Sequence, residues 1–168
     1  MLHDPHYRTA YAQNLKRDFP RLPFYADFGW WAAQGAALLA LHLGYETAEP
    51  YDLSAVRSLP AHGPFKVRLK ADPAAGCIVL DDTVSLHGIP EAAWRYRLGN
   101  RSALEWILDQ YKERSPKDPT LAAQFDTYRF ADHAAHVMDL LARVCTVSVQ
   151  TMAVVDALAG RSPLRPGA

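Results

Sequence analysis

The most restrictive feature of the sequence is a long stretch with helical periodicity near its end, at residues 131–159. Mostly apolar residues recur there at steps of three and four, which places them on one side of an α-helix. They are Val137, Leu140, Leu141, Val144, Val147, Thr151, Val154, Val155 and Leu158. The run VCTVSV, at 144–149, is rich in β-branched residues and taken alone favours a strand. Because the helical spacing continues on both sides of that run, the pattern predicts one long C-terminal helix.

A second apolar segment, residues 24–45, is long enough to raise the question of a membrane-spanning helix. It contains Asp27, Gln34 and His42, and much of its bulk is alanine, which contributes little to membrane insertion. We therefore expect a nearly all-buried helix of a soluble domain, packed against the long C-terminal helix. The pair Trp30–Trp31 is then more consistent with core packing than with stacking on a base or a sugar.

Two further helix starts carry capping residues. Asp4 can accept a hydrogen bond at a helix start and Pro5 suits the first helical position, so a helix is expected from there to about residue 18. Ser102 and Glu105 have the spacing of a capping box. The residues that then fall on one helical face are Leu104, Leu108 and Tyr111.

The middle of the chain predicts the strands. Residues 65–71, Cys77–Asp81 and Val84–His87 are the candidates, and the turn ADPAAG joins the first two into an antiparallel hairpin. Residues 50–64 are expected to form a connecting loop between the second helix and the first strand. Pro90 is expected to begin a short helix. The fold class is therefore α+β: a mainly helical body, a small antiparallel sheet of two to three strands over residues 65–87, and the long C-terminal helix.

Length and composition limit the kind of protein further. The 168 residues predict a single domain, at 1–160, with 161–168 as a flexible tail. With 18 basic and 18 acidic residues the chain is neutral, which argues against indiscriminate coating of nucleic acid but leaves room for a local basic patch. Cys77 and Cys145 lie in apolar segments and are predicted to be buried free thiols. The N-terminus lacks the apolar stretch of a signal peptide.

The sequence carries no recognisable catalytic or cofactor motif. It lacks a phosphate-binding glycine loop, a dinucleotide-binding fingerprint, a Gly-x-Ser-x-Gly elbow and a Cys-x-x-Cys pair. We therefore predict no catalytic residue, no cofactor and no metal. One metal hint remains, because Asp132, His136 and Asp139 share a helical face beside His133. A polar helix face is the plainer explanation.

Three cations alternate with apolar residues in the stretch FKVRLK. Lys66, Arg68 and Lys70 would share one face of a strand and would span roughly 13 Å, a distance that covers several DNA phosphates. No acidic residue occurs between Val56 and Ala71. The pattern predicts a row of cations that follows a DNA backbone. The alternative is a solvated strand face paired with Asp81 or Asp82.

A second polar cluster lies in RYRLGNR, just before the capping box. Its candidate DNA-contacting residues are Arg95, Arg97, Asn100 and Arg101. A helix start attracts anions, and arginine and asparagine are side chains that read guanine and adenine edges. The alternative is that Arg97 and Arg101 pair with Glu91 or Glu105.

Three blocks of the sequence resemble the C-terminal specificity region of Type ISP restriction–modification enzymes. The first is YRTAYAQNLKRDFPRLPF with the following apolar segment that ends LLALHL. The second is VSLHGIPEAAWRYRLGNRSALEWILDQY, and the third is LLARVCTVSVQTMAVVDAL. They occur in the family's order and extend from about residue 3 to 158.

In that family one polypeptide carries a nuclease, an ATP-driven translocase, an adenine-N6 methyltransferase and a target recognition domain. The resemblance covers the last part, so it implies a cytoplasmic DNA target recognition module without catalysis of its own. Its expected partners are double-stranded DNA and the methyltransferase and translocase parts of a parent polypeptide. Residues 51–63 and 115–130 do not match the family pattern, so the target sequence is not readable.

A different class of function stays open at this point. The chain could be a non-catalytic interaction or scaffold domain, or the remnant of a truncated gene, with a basic strand that is merely solvated. A piece cut from within a longer region would also be expected to expose apolar surface and form a homodimer.

Overall fold

The computed structural model describes residues 2–21, 23–58, 66–114 and 128–164. This part of the chain contains helices and strands in the proportions of an α+β protein, so the predicted fold class is confirmed. The helices are α1 (Pro5–Ala10), α2 (Phe28–Leu43), α3 (Glu91–Arg95), α4 (Ala103–Gln110) and α5 (Phe130–Arg161). The strands are β1 (Ser54–Arg57), β2 (Val67–Asp72), β3 (Cys77–Asp81), β4 (Val84–His87), β5 (Arg97–Leu98) and β6 (Arg101–Ser102).

The four longer strands form one antiparallel sheet in the order β1-β4-β3-β2, and β5 pairs with β6 in a separate hairpin. Strands β3 and β4 have the predicted bounds. The predicted first strand begins later, at Val67, while Phe65 lies outside the described residues. Strand β1 was missed: it is an edge strand within the predicted connector, and all its residues are exposed, so no apolar alternation marks it.

The chain divides into two compact units, each described here by itself. The terminal unit comprises Met1–Tyr45 with Gln150–Ala168, and the central unit comprises Glu46–Val149. Helix α5 contributes residues 130–149 to the central unit and 150–161 to the terminal unit. The single domain over residues 1–160 stays a prediction.

The core of the central unit lies between the sheet, α4 and the first half of α5. Ile78 and Leu80 of the sheet and Leu104 of α4 belong to the same buried cluster as Val137 and Leu141 of α5. The β-branched run at 144–149 is helical, as the periodicity predicted. The helical spacing prevails there because α5 buries one continuous face, and that burial outweighs the weak strand propensity of a short run.

The terminal unit has a smaller core in which α2 meets the last turns of α5. Trp31 and Tyr25 pack with Leu158, and Trp30 and Val154 pack against them. The predicted packing between the second helix and the C-terminal helix is confirmed at these residues. The core interpretation of the tryptophan pair is confirmed as well.

Buried polar contacts support the same unit. Asp4 is fully buried and accepts hydrogen bonds from the Tyr25 hydroxyl at 3.1 Å and the Ser162 hydroxyl at 2.6 Å. It also caps α1 through the main-chain amide of His6, as predicted. Helix α1 ends at Ala10 rather than near residue 18, because residues 8–14 are exposed and gain no burial that would stabilise further turns.

The expectation that residues 24–45 form a nearly all-buried helix is wrong. Trp31 and Leu38 of α2 are buried, but Phe28, Leu39 and Leu43 are 77%, 61% and 76% exposed. An apolar composition shows that a helix is able to bury its side chains, but it does not show whether other parts of the chain cover them. Helix α2 therefore carries an exposed apolar face formed by Phe28, Leu39 and Leu43.

Within the described residues, α5 is the helix whose length and hydropathy would fit a membrane span, with a mean hydropathy of 1.4 over its most apolar window. Its apolar face is buried in the cores of the two units, at Val137, Leu141 and Leu158. Core helices of water-soluble proteins also have this length and hydropathy, and the burial of these three residues is what a core helix would show.

Both cysteines are buried and unpaired, as predicted. Burial raises the pKa of the Cys145 thiol to about 12, so this thiol stays protonated at neutral pH.

Candidate nucleic-acid interface

Strand β2 carries two of the three predicted cations, Arg68 and Lys70, and Lys66 directly precedes it, but β2 is not a regular strand. Val67 pairs with Asp81 and Lys70 pairs with Val79, so three steps along β2 match two along β3. This is a β-bulge, and Leu69 within it has a φ of 40°, in the left-handed region that non-glycine residues rarely adopt. Because an inserted residue interrupts strict alternation, one shared strand face no longer follows for Lys66, Arg68 and Lys70.

The structure places these three cations along two neighbouring cavities. Lys66 and Arg68 line a cavity of about 700 Å³ together with Lys112 and Arg129. Lys70 lines a smaller cavity of about 220 Å³. The other charged residues of that smaller cavity are Arg101, Lys112, Glu105 and Asp109.

The two cavities are adjacent because Leu69 and Lys112 line both. We call the surface formed by Lys66, Arg68, Lys70, Arg101, Lys112 and Arg129 the basic groove. Its cations come from β2 and the residue before it, from β6, from the segment that follows α4 and from the residue before α5. The groove therefore joins the β2 cations to Arg101 of the second predicted cluster. The larger cavity also contains the acidic residues Glu113 and Asp132.

An ion pair neutralises one of the three predicted cations, Arg68. Arg68 donates to the Asp82 carboxylate at 2.5 Å, which is the partner that the solvated-face alternative named. Asp81 has another role, because it accepts from Thr83 and Val84 in the β3–β4 turn. Neither Lys66 nor Lys70 has an acidic ion-pair partner among the residues that the structure describes.

The second predicted cluster forms the β5–β6 hairpin. Gly99, with a φ of 71°, supplies the left-handed residue of its turn. Arg97 donates to the carbonyl oxygen of Asn100 across that turn, and both residues are exposed. Arg95 is exposed in the last turn of α3. The hairpin holds Arg97 and Asn100 at an exposed tip.

Arg101 has a different partner from the one expected. It pairs with Asp109 at 3.0 Å, and its guanidinium lies 5.1 Å from the centroid of the Trp106 ring. The ion pair of Arg101 is therefore not with Glu91 or Glu105, although the charges of Arg97 and Arg101 help to lower the pKa of Glu105. Asp109 was missed because it lies two turns into α4, and only the hairpin brings Arg101 to it.

The capping box at the start of α4 is present as predicted. The Ser102 hydroxyl accepts from the Glu105 amide at 3.3 Å, and the Glu105 carboxylate accepts from the Ser102 amide at 2.7 Å. The hydrogen bond from that Ser102 amide is the main cause of the lowered pKa of Glu105. A carboxylate already occupies this helix start, so a phosphate would have to compete with it there.

Three of the four residues of the metal hint have other partners. His136 lies 3.1 Å from the Tyr111 hydroxyl, Asp139 pairs with Arg143 at 2.7 Å, and His133 stacks on Tyr128. In the described ranges, no three histidine, cysteine or acidic side chains gather into a potential metal site.

The sequence reasoning missed three cations, Lys112, Arg114 and Arg129. Lys112 and Arg129 line the basic groove, and Arg114 pairs with Asp109 at 2.9 Å. Lys112 and Arg114 directly follow α4, where cations also favour the helix dipole. A cation at such a position fits a purely structural role, and nothing in the local sequence indicates that Lys112 lines a cavity with Lys70.

Comparisons with known proteins agree on one family. The model of the Type ISP C-terminal specificity domain matches residues 1–140. Among curated protein sequences no relative is found.

Three solved structures are similar to the chain. A DrdV–DNA complex matches 98% of this chain at 49% identity with a TM-score of 0.87. A nuclease-deletion mutant of the Type ISP enzyme LlaGI, in complex with a DNA substrate mimic, matches 93% at 30% identity with a TM-score of 0.71. The ATP-dependent Type ISP enzyme LlaBIII, bound to DNA, matches 93% at 26% identity with a TM-score of 0.69.

The chain spans only a small part of those proteins: 17% of the DrdV chain, 13% of the LlaGI chain and 10% of the LlaBIII chain. The match to the family model nevertheless covers most of this chain. It includes the whole sheet, the β5–β6 hairpin and α4, which together carry the basic groove and its partners. The chain therefore belongs to the Type ISP C-terminal specificity domain family.

Proposed function

We propose that the chain is a DNA target recognition module that has no catalytic activity of its own and acts in the cytoplasm. The observation that carries the proposal is the basic groove, in which a neutral chain gathers six cations from four segments. Membership of the specificity domain family supports it, and so do the three similar structures, each of which contains DNA or a DNA mimic.

Two parts of the central unit would have different roles in DNA binding. The cations of the basic groove would contact phosphates and set the position of the duplex. Arg97 and Asn100, exposed at the tip of the β5–β6 hairpin, are the candidates for reading base edges, with Arg95 beside them on α3. The neutrality of the chain as a whole would suit recognition, since a globally basic module would hold every sequence.

A salt titration of duplex binding tests the phosphate contacts. In the triple variant Lys66→Gln, Arg68→Gln and Lys70→Gln, the slope of log affinity against log salt should flatten by roughly two to three units. Binding should weaken about equally on all sequences, because phosphates carry no direct code. All three side chains are exposed, so circular dichroism should show an unchanged fold. The triple variant Lys16→Gln, Arg17→Gln and Arg21→Gln, which removes three exposed positive charges in the terminal unit, is the matched control. An unchanged slope in a folded triple variant would return these residues to the solvated-face interpretation.

The role of the β5–β6 hairpin is tested by comparing binding to DNA duplexes of different sequence. Arg97→Ala and Arg101→Ala should each be measured on a specific and on a random duplex. A loss confined to the specific duplex indicates base reading, and an equal loss on both indicates phosphate contact. No loss on either would remove the hairpin from the interface.

We also propose that the exposed apolar face of α2 packs against the remainder of a Type ISP polypeptide, which includes methyltransferase and translocase parts. Two observations support this occupant. The similar chains are several times longer than this one. Helix α2 contains no acidic residue, lysine or arginine, and a Cβ added at Gly29 or Gly35 would meet no atom within 4 Å. A homodimer through the same face is the competing outcome.

An interaction or scaffold domain is the second candidate function, from another class. The exposed apolar face of α2 favours it, and the basic groove does not. The salt titration separates the two, since a scaffold domain would show no duplex affinity that depends on the groove cations.

A further inference from the structure

One carboxylate in the central unit is surrounded by three cations. Asp109 lies 3.0 Å from Arg101, 3.5 Å from Lys112 and 2.9 Å from Arg114. Arg101 belongs to β6, whereas Lys112 and Arg114 follow α4, so two separate segments supply these charges. The Arg101 guanidinium is the main cause of the lowered pKa of Asp109, and this carboxyl is therefore ionised at neutral pH.

The cluster has more positive charge than its acids balance. Lys70 lines the same cavity as Arg101, Asp109 and Lys112, and Glu105 lines it too. With Arg114 the cations number four against two carboxylates, a surplus of two positive charges. Glu105 is also engaged by the Ser102 amide and hydroxyl, at 2.7 and 2.8 Å. Asp109 is thus the main local counter-charge for three cations at once.

Two of these guanidinium groups are held in place by two contacts each. Arg101 contacts the Asp109 carboxylate and lies over the Trp106 ring. Arg114 donates to both the carboxylate and the main-chain carbonyl oxygen of Asp109, at 2.9 and 3.2 Å. Side chains that are already ordered lose less conformational entropy when a ligand binds. A guanidinium also presents a planar set of donors that matches two phosphate oxygens.

A purely structural role would need fewer charges. Exposed ion pairs contribute little to stability, and one cation after α4 would satisfy both Asp109 and the helix dipole. Mutual repulsion among three cations around one carboxylate works against the free fold. An arriving anion would relieve that repulsion, and a surplus of this kind is typical of a phosphate site.

We propose that Arg101, Lys112 and Arg114 form a site for a nucleic-acid backbone phosphate, and that Asp109 holds these cations in the free protein and limits binding to random duplexes. The proposal rests on the proposed function, and it adds Arg114 to the cations of the basic groove, which already include Arg101 and Lys112. The Asp109 carboxylate competes with the phosphate for the same donors. Affinity for any duplex is therefore lower than the cations alone would give.

Three single variants of the whole chain test the site by duplex binding over a salt series. Lys112→Gln and Arg114→Gln should each flatten the slope of log affinity against log salt by about 0.9. Asp109→Asn should strengthen binding to a random duplex by about two- to threefold, the effect of removing one nearby negative charge in water. Lys16→Gln serves as the charge-matched control and should change neither quantity.

The outcomes separate this proposal from the one on which it rests. If the wild-type chain shows no salt-dependent duplex binding, both proposals fail. If the wild type binds and the β2 triple variant flattens the slope, but Lys112→Gln and Arg114→Gln do not, the phosphate site alone is overturned. Unchanged random-duplex binding in a folded Asp109→Asn variant would overturn the limiting role of Asp109. Should that variant unfold, the two cation variants still decide the site.

Discussion

At the scale of single residues, Asp81 organises the β3–β4 turn. It is 8% exposed, and one of its oxygens accepts from the Thr83 amide, the Thr83 hydroxyl and the Val84 amide at 2.6, 2.7 and 2.8 Å. Asp81→Ala should lower the free energy of unfolding by about 2–3 kcal/mol, since each net hydrogen bond contributes about 1 kcal/mol. Asp81→Asn keeps an acceptor oxygen and should cost clearly less. Urea unfolding of the two variants measures both, and equal losses would contradict this account of the turn.

Two histidines of the terminal unit predict how stability depends on pH. Burial is the main cause that lowers the pKa of both His3 and His42 from 6.5. Their rings are 5.9 Å apart, and His42 lies 3.0 Å from the buried Thr151 hydroxyl. The unfolded chain binds protons more readily at these sites. Their contribution to stability is therefore complete above pH 6.5 and is lost as the pH falls through the lowered folded values.

Thermal unfolding between pH 7.5 and pH 5.5 tests this sign. The melting temperature should fall over this range in the wild type, and His42→Gln should reduce the fall. His133→Gln, the same substitution at an exposed position of the central unit, is the control. A melting temperature that rises on acidification would contradict the assignment.

At the scale of elements, α2 separates a buried side from an exposed one. Leu38 is 6% exposed, whereas its neighbour Leu39 is 61% exposed. Leu38→Ala should cost about 2–5 kcal/mol of stability. The double variant Leu39→Gln and Leu43→Gln should leave the melting temperature nearly unchanged, because both side chains are already in contact with water.

The same double variant tests the partner of the α2 face. A Type ISP polypeptide that lacks its specificity domain should bind the wild-type chain in size-exclusion chromatography and should bind the double variant weakly. Equal association of both would remove the face from the interface. A wild-type dimer in light scattering that the double variant abolishes would favour self-association instead.

At the scale of the whole molecule, the two units have separate cores. Among the residues that the structure describes, the buried cluster of the central unit extends from Leu69 to Cys145, and the small cluster of the terminal unit consists of Tyr25, Trp31 and Leu158. Residues 46–149 expressed alone should therefore keep their circular dichroism spectrum and a cooperative thermal transition. The terminal unit buries too little apolar surface to fold by itself. If residues 46–149 fail to fold, the single domain over 1–160 is the better description.

The sequence alone determined the elements whose signals are local. The apolar spacing of 131–159 predicted α5 through its β-branched run, and Ser102 and Glu105 predicted the start of α4. Short apolar runs next to turn residues predicted the bounds of β3 and β4. Periodicity and capping depend on neighbours within one or two turns of the chain, so they can be read without knowing the fold. The family resemblance had the same basis in continuous blocks of sequence.

Only the tertiary structure decided the remaining features, because they depend on residues far apart in sequence. The bulge at Leu69 lies where β2 pairs with β3, and the cations on its two sides line two different cavities. The hairpin brings Arg101 to Asp109, and the fold brings Lys112 beside Lys70. Composition likewise predicted a buried α2, but exposure depends on what the rest of the chain covers. The sequence specifies which side chains are charged or apolar, whereas the fold decides which other side chains they contact.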